Sequence, residues 1–351
     1  MTPKRPALGR LGSEASIPPY HLKSSPYFDI STSFGCLYLG CFRAGPSFDV
    51  FLMKRADLPR QFYEAADSYG WRASLLHVGA LFLLLACAVP LWRNVGPWAA
   101  WLLVLPVAVV AYKLTIVLHD CAHYTLFKNR RLNRFVGQCI AALLGSDFEQ
   151  FARTHWLHHR AYGSPNDPQG HDYIGLHNAT RAALCWHLLR PLLGYNFFKV
   201  IVFNPAAPAQ SGAAPRTSLI VFAMRVLCAQ AAIALVATGL GEVPWLIFLF
   251  PAASATFALF LSQVRGFCEH VARRESSSEA FVRTHLPNAL DRTLFYGLNF
   301  NFHVEHHLYP SVPSCHLPAV YEEIRARVHT KETLSPSILH TIRDRLAQCA
   351  R

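Results

Sequence analysis

Histidines are concentrated in four short segments of this chain, in patterns that suit metal binding. Nine of the eighteen lie in HDCAH, HWLHH, EH and HVEHH: His119, His123, His155, His158, His159, His270, His303, His306 and His307. Residues three and four apart share one face of a helix, so each segment is predicted to present its imidazoles in one direction. Imidazole is the commonest metal ligand, and burying nine unpaired rings would be costly. Because nine donors exceed the needs of one ion, the pattern predicts two metal ions, each held by four or five imidazoles.

The donor type leaves the identity of the metal open. Nitrogen donors suit Zn, Cu, Fe and Ni alike. Glu305 follows His303 by two positions, so HVEHH is not the HExxH pattern of zinc peptidases, and a zinc hydrolase is disfavoured. Cys121, which lies inside HDCAH, is predicted to point away from the face that His119 and His123 share.

Four apolar stretches must position these segments. Residues 73–92 and 243–264 carry no charge, 94–118 only Lys113, and 217–241 only Arg225. About 20 helical residues cross a hydrocarbon core about 30 Å thick. The sequence therefore predicts an all-α integral membrane protein with four transmembrane helices.

The basic residues predict the orientation. Residues 1–72, 119–216 and 265–351 hold 9, 10 and 11 of the 33 Lys and Arg residues, and four spans place these three segments on one side. By the positive-inside rule that side is the cytoplasm. The net charge of +12 is thus explained by topology, and the cations are too scattered for a nucleic-acid surface. A metal transporter is a remote alternative, since transporters place their ligands near the middle of the membrane whereas these histidines are predicted outside the spans.

Three regions are expected along the chain. Residues 1–52 are rich in Pro, Ser and Gly and are interpreted as a weakly ordered extension, 53–320 as the membrane domain, and 321–351 as a cytosolic helical tail. Two short apolar segments, near residues 128–154 and 184–203, are predicted to be helices lying at the membrane surface. The ten cysteines include no CxxC pair and fit reduced thiols.

Three of the histidine segments, HDCAH, HWLHH and HVEHH, are called the first, second and third boxes, and the nine histidines named above, His270 included, are called the box histidines. The spacing of the three boxes resembles that of the membrane fatty acid desaturase and hydroxylase superfamily. The likeness covers roughly residues 74–320: HDCAH, HWLHH about 30 residues later, and HVEHHLYP after two further spans. It implies a four-span helical bundle whose cytosolic helical cap carries the boxes, and two irons held by the nine histidines named above. The run SPNDPQGHDY after the second box is similar to an extension in carotenoid ring hydroxylases and ketolases.

The resemblance also implies partners and a place in the cell. No HPGG sequence occurs, so the electron donor is expected to be a separate ferredoxin or cytochrome b5-like protein with its own reductase. The substrate is expected to be a membrane lipid or acyl chain, and nucleic acid is not expected as a partner. We expect a multi-pass protein with cytoplasmic histidine boxes, and favour a bacterial inner membrane over the endoplasmic reticulum.

Some residues outside the nine are candidates for supporting roles. Carboxylates can hold the second N–H of a metal-bound histidine, and the candidates are Asp120, Glu149, Asp167, Asp172, Glu269 and Glu305. His171 is a candidate tenth donor, and Asn299 is expected either to reach a metal-bound water or to cap a helix. His77, His177, His187 and His285, which lack a box context, are expected to be structural or interfacial.

The function expected from these features is O₂-dependent desaturation of a fatty acyl chain. No side chain can oxidise a methylene group, so the metal must supply the redox chemistry. No catalytic residue beyond the metal ligands is predicted. The alternative is a di-iron hydroxylase or ketolase of a carotenoid or other lipid.

Overall fold

The computed structural model describes residues 58–203, 219–272 and 281–349, so the predicted extension 1–52 lies outside the described residues. Fifteen α-helices and one pair of two-residue strands occur in the described part. The helices are α1 Asp67–Ala86, α2 Ala88–Asn94, α3 Pro97–Leu102, α4 Val104–Ala122, α5 Arg130–Leu143, α6 Phe148–Ala161, α7 Arg181–Leu189, α8 Tyr195–Phe203, α9 Leu219–Ala237, α10 Leu249–Ala253, α11 Leu259–His270, α12 Ala289–Leu294, α13 His303–Leu308, α14 Leu317–Val328 and α15 Ile338–Gln348. The strands are β1 Thr284–His285 and β2 Leu334–Ser335.

Four helical stretches in the described residues are long and apolar enough to cross a membrane. They are Arg60–Asn94, Pro97–Ala122, Ile220–Ala237 and Pro244–His270. Large apolar side chains stay exposed along them, as Leu75, Leu76 and Leu83 do on α1 at 64–66%. Such a surface is suited to lipid rather than water. The predicted all-α membrane fold with four spans is confirmed, and the cytosolic position of the boxes stays a prediction.

Two of these helices continue past the ends of their apolar stretches. The second helix runs to Ala122, four residues past the stretch 94–118, and the fourth runs to His270, six residues past the stretch 243–264. Charges at Arg265 and Glu269 lower the hydropathy there, but the two side chains pair one turn apart, with Nε 2.7 Å from Oε1. Because the pair satisfies both charges, the helix continues and carries His270 in its last turn.

Helices α5 and α6 follow the second span and position the second box. Asn129 caps α5 by accepting hydrogen bonds from the N–H groups of Arg131 and Leu132, and Asp147 caps α6 by accepting from the N–H of Gln150 at 2.7 Å. Such caps satisfy N–H groups that have no partner inside the helix. The box helix α6 therefore begins at a defined residue and packs on both α5 and α4.

The C-terminal segment returns to the third box. Strands β1 and β2 pair in parallel, with Thr284 opposite Leu334 and His285 opposite Ser335. From α15, Thr341 Oγ1 lies 3.1 Å from Nε2 of His285. These contacts hold residues from two distant parts of the chain beside α13.

Gly70 on α1 permits a close approach that a larger residue would prevent. A Cβ at this position would lie 2.5 Å from the carbonyl oxygen of Leu126 and 2.7 Å from the ring of Phe127. We expect Gly70→Ala to lower the free energy of unfolding by about 1–3 kcal/mol through overpacking. The measurement is the apparent melting temperature in detergent.

Gly79 on the same helix is the matched control, since no atom lies within 4 Å of a Cβ placed there. Gly79→Ala should leave stability unchanged or raise it by up to about 1 kcal/mol, because alanine favours helix over glycine. Equal melting temperatures for the two variants would contradict the predicted close contact.

Candidate metal centre

Four helices bring the nine box histidines together on one side of the four spans. His119 and His123 lie at the end of α4, the second box on α6, His270 at the end of α11 and the third box on α13. All nine are buried except His159, which is partly exposed. Segments up to 188 residues apart, from His119 to His307, therefore contribute to one polar cluster inside an apolar protein.

Five of these histidines form a first group. The members, each offering one nitrogen within 4.8 Å of all the others, are His119, His123, His155, His159 and His306. Nε2 of His155 lies 2.8 Å from Nε2 of His123 and 3.0 Å from that of His159. Nε2 of His306 lies 3.0 Å from Nε2 of His159. The ring nitrogens thus converge on one small volume.

A second group adjoins the first. His158, His270 and His307 meet the same distance criterion. His303 lies beside it, with Nε2 2.9 Å from Nε2 of His270 and its ring centroid 4.6 Å from that of His307. The nine predicted donors therefore separate into five and three, with His303 next to the three.

The geometry of these groups fits metal ions. Two nitrogens each about 2.1 Å from one ion stand about 3.0 Å apart when the angle between them is 90°, close to the 2.8–3.0 Å seen between neighbouring Nε2 atoms. Several other buried ring nitrogens have no hydrogen-bond partner among the described residues, including both of His119, both of His307 and Nε2 of His158. Unpaired buried acceptors are costly, and a metal ion would satisfy them.

Burial also keeps these imidazoles in the form that binds metal. Desolvation first, and the neighbouring imidazoles second, lower the pKa of His123 to about 3 and that of His159 to about 2. The pKa values of His155, His306 and His307 are likewise well below the ordinary value, first through desolvation. Neutral imidazoles offer a lone pair. A nitrogen-only donor set suits iron, as it does Zn, Cu and Ni.

Asp167 holds the second ring nitrogen of His158. Nδ1 of His158 lies 2.9 Å from Oδ1 of Asp167, and the Tyr173 hydroxyl and the Gln169 N–H also donate to this carboxylate. Burial acts to raise the pKa of Asp167, but the hydrogen bond and charge of His158 and the other donors outweigh it, so the pKa is lowered. With Nδ1 engaged, Nε2 of His158 is the atom directed at the second group.

Two other candidate carboxylates also lie beside box histidines. Glu269 Oε2 is 3.5 Å from Nε2 of His303, and Asp120 Oδ1 is 3.8 Å from Nδ1 of His119. The Ser314 hydroxyl donates to Asp120. Each carboxylate is tied to a partner outside the boxes, which limits its movement.

The remaining three candidate carboxylates contact other groups. Glu305 points to the C-terminal segment, where Oε1 is 2.5 Å from Nε2 of His329 and Oε2 accepts from the Thr284 hydroxyl at 2.6 Å. Glu149 pairs with Arg134, and Asp172 lies 3.3 Å from Nε2 of His171. Glu305 therefore anchors the third box to His329. No sequence motif around His329 predicts this contact.

The other candidate donors lie outside both groups. The His171 side chain is 57% exposed, and its Nδ1 lies 3.0 Å from the Pro168 carbonyl oxygen. The Asn299 amide donates to the Ser314 carbonyl at 3.1 Å, and no helix among the described residues begins at Asn299. His77, His187 and His285 each contact a backbone carbonyl or a hydroxyl, and neither these three nor His177 belong to either group.

Sequence comparisons agree with this geometry. The profile of the fatty acid desaturase family matches residues 96–334. Over 164 residues the chain is 30% identical to a zeaxanthin 4-ketolase of Chlamydomonas reinhardtii, covering 40% of this chain and 35% of that protein. It is 28% identical to a beta-carotene 4-ketolase of Haematococcus lacustris, covering 42% and 44%. A sphingolipid delta(4)-desaturase/C4-monooxygenase of Rattus norvegicus is 26% identical over 263 residues, covering 68% and 70%. The matches span less than half the length of the ketolases.

Proposed function

Because this chain belongs to the fatty acid desaturase family and is an oxidoreductase, we propose that it uses O₂ and two iron ions to introduce a double bond into a fatty acyl chain. The observation that carries the proposal is the convergence of nine box histidines in two adjoining groups at the ends of two spanning helices. Ligands at helix ends suit a reaction at the membrane surface. Transport would place them along the middle of the spans.

Each group of histidines has a distinct role in holding the irons. The five-histidine group would hold one iron, and His158, His270 and His307, with His303 beside them, would hold the other. Bound iron supplies the O₂ activation and hydrogen removal that no side chain can perform. Asp167 fixes the ring of His158, and the pairing of Glu305 with His329 fixes the helix that carries the third box.

An apolar wall beside the first group supports a hydrocarbon substrate. The Phe300 ring lies 4.3 Å from the His119 ring and 5.2 Å from the His306 ring, measured between centroids. Ile116 on the second span is buried in the same apolar cluster as Phe300. Apolar side chains here exclude water and would orient an alkyl chain against the metal-holding histidines.

The proposal includes a cytoplasmic site, an acyl or lipid substrate drawn from the membrane, and a separate electron donor. The concentration of basic residues in the three segments on the box side supports the cytoplasmic orientation. A bacterial inner membrane is the setting we favour.

Oxidation of a carotenoid by the same site is a second candidate. The observation in its favour is the similarity to the two ketolases, which are named for zeaxanthin and beta-carotene. The segment that carries Asp167 and Tyr173, SPNDPQGHDY, also resembles an extension in such enzymes. Both reactions would use the same histidines and the same oxidant.

Isotopic analysis of the products tests the proposal and separates the candidates. Cells that make carotenoids would express the protein under ¹⁸O₂, and their acyl chains and pigments would be compared by mass spectrometry with cells that express His306→Ala. Desaturation predicts an acyl product two hydrogens lighter without ¹⁸O, whereas hydroxylation or ketolation predicts an oxygenated product carrying ¹⁸O. An unchanged lipid and pigment profile, with the iron-loaded protein present in the membrane, would overturn both candidates.

A further inference from the structure

The proposed oxidation needs electrons from outside the substrate. Converting CH₂–CH₂ to CH=CH releases two electrons and two protons, while O₂ takes up four of each on becoming two water molecules. The missing two electrons come from a donor protein, and the missing two protons come from solvent water. Hydroxylation, which places one oxygen atom on carbon and releases the other as water, has the same requirement. The inference below rests on the proposed function and concerns where these electrons enter.

Trp156 on α6 connects the first histidine group with the protein surface. Its ring centroid lies 4.7 Å from that of His123 and 6.0 Å from that of His159, and its Nε1 donates to the Ala122 carbonyl at 3.1 Å. The side chain is only partly buried. One edge of the indole therefore touches predicted iron ligands while another part remains accessible.

Two unpaired cations flank this indole. Arg153 and Arg160 lie three residues before and four after Trp156, so all three share one face of the helix. Both arginines are exposed, and neither forms an ion pair with any residue that the structure describes. We call Arg153, Trp156 and Arg160 the Trp156 face.

The surrounding segment is also strongly basic. Residues 124–161 contain six cations and two carboxylates, Asp147 and Glu149. Glu149 is already paired with Arg134, so it does not neutralise the Trp156 face. A surface of this charge attracts an acidic protein and accelerates its encounter.

The second histidine group is covered on the side of the third box, so a carrier protein can approach it there less closely than it can approach the first group at Trp156. The Tyr162 ring lies 5.2 Å from that of His307, and the C-terminal segment contacts α13 through His329 and Glu305. Tyr162, Val304 and Leu308 belong to one apolar cluster that includes residues of α14. His159, in contrast, is partly exposed and lies next to Trp156.

We infer that the Trp156 face is the docking site of an acidic protein that carries one electron at a time, and that its electrons reach the first histidine group through the Trp156 indole. Each docking delivers one electron, so two dockings complete one oxidation. The arginines bind the carrier, and the indole shortens the gap between its redox centre and His123.

Charge reversal of the two arginines tests the docking site. The iron-loaded full chain in phosphatidylcholine nanodiscs would be supplied with a reduced plant-type ferredoxin or with reduced cytochrome b5, both acidic, and separately with dithionite, which needs no docking site. The variant R153E/R160E should lower kcat/KM for the carrier by about 10–100-fold at low salt and remove most of its salt dependence. Its dithionite-driven rate should equal that of the wild type.

A matched variant, K331E/R343E, makes the same change in charge at two exposed cations outside the Trp156 face. It should retain the wild-type carrier-driven rate. Equal losses in the two charge-reversal variants, or reduction of the wild type by dithionite but by neither carrier, would overturn the docking site.

Trp156→Leu separates electron transfer from docking. It should leave KM unchanged and lower kcat with a saturating carrier by a larger factor than it lowers the dithionite-driven rate, with iron content measured as the control for the site. A carrier-driven kcat equal to that of the wild type would exclude the indole as the route.

The same assay distinguishes failure of the docking site from failure of the proposed function. If the iron-loaded wild type forms no product even with dithionite, the proposed function fails and the docking site with it. If the arginines instead bind anionic lipid, the R153E/R160E defect will appear only in nanodiscs containing phosphatidylglycerol and will persist with dithionite, which would overturn the carrier site alone.

Discussion

His306→Ala is expected to remove metal from the first histidine group and to abolish lipid oxidation. Nε2 of His306 lies 3.0 Å from Nε2 of His159, and the His306 ring lies 4.6 Å from that of His119 and 4.7 Å from that of His123. Loss of residues that merely orient a metal ligand lowers affinity or activity by about 10–100-fold. Direct loss of a proposed ligand at the centre of the group should therefore lower activity by more than about 100-fold. Iron per chain, measured by plasma mass spectrometry, and product formation are the two readouts.

His171→Ala is the matched control for this variant. His171 follows the second box but is exposed and lies outside both groups. It should retain full iron and activity. Wild-type iron content in His306→Ala, or an equal loss of iron in both variants, would contradict the assignment of the first group.

Asp167→Asn is expected to weaken the second group by about 10–100-fold in iron affinity or activity. The carboxylate accepts from Nδ1 of His158 at 2.9 Å and also from Tyr173 and Gln169. An amide carries no charge, and its NH₂ group cannot accept these hydrogen bonds. The His158 ring would then lose both its orientation and the basicity that the carboxylate confers. Iron affinity would be measured by competition with a chelator.

Asp344→Asn provides the comparison, because Asp344 lies on α15 and accepts a hydrogen bond from Gln348 at 2.8 Å, away from the boxes. It should retain wild-type iron affinity. If Asp167→Asn also binds iron as tightly as the wild type while folding normally, Asp167 does not support a metal ligand.

The division of the histidines between two groups follows from helix geometry that the sequence already contains. Each residue of an α-helix turns by about 100°. His306 and His307 are adjacent and therefore diverge by that angle, and they belong to the first and second groups respectively. In the second box, His155 and His159 lie about one turn apart and share the first group, while His158 belongs to the second. The structure therefore differs from the expectation that each box presents all its imidazoles in one direction. The second and third boxes each direct their imidazoles toward two neighbouring groups.

Hydropathy located the four spans because the lipid bilayer requires an apolar helix along the whole length of a span. A local window of hydropathy detects such a run of apolar residues. It does not show how far a helix continues beyond its apolar stretch: the fourth helix runs on to His270, since Arg265 and Glu269 neutralise each other across one turn. The all-helical class, the four spans and the nine clustered histidines could thus be read from local patterns.

Contacts between distant segments were decided only by the tertiary structure. The sequence indicated six carboxylates of equal standing, but packing set Asp167, Glu269 and Asp120 beside box histidines. Glu305 was directed instead to His329, 24 residues away. The position of Trp156 between His123 and the surface likewise depends on how α6 packs on α4. Hydropathy and helical spacing are properties of neighbouring residues, whereas these pairings depend on how whole helices pack in three dimensions.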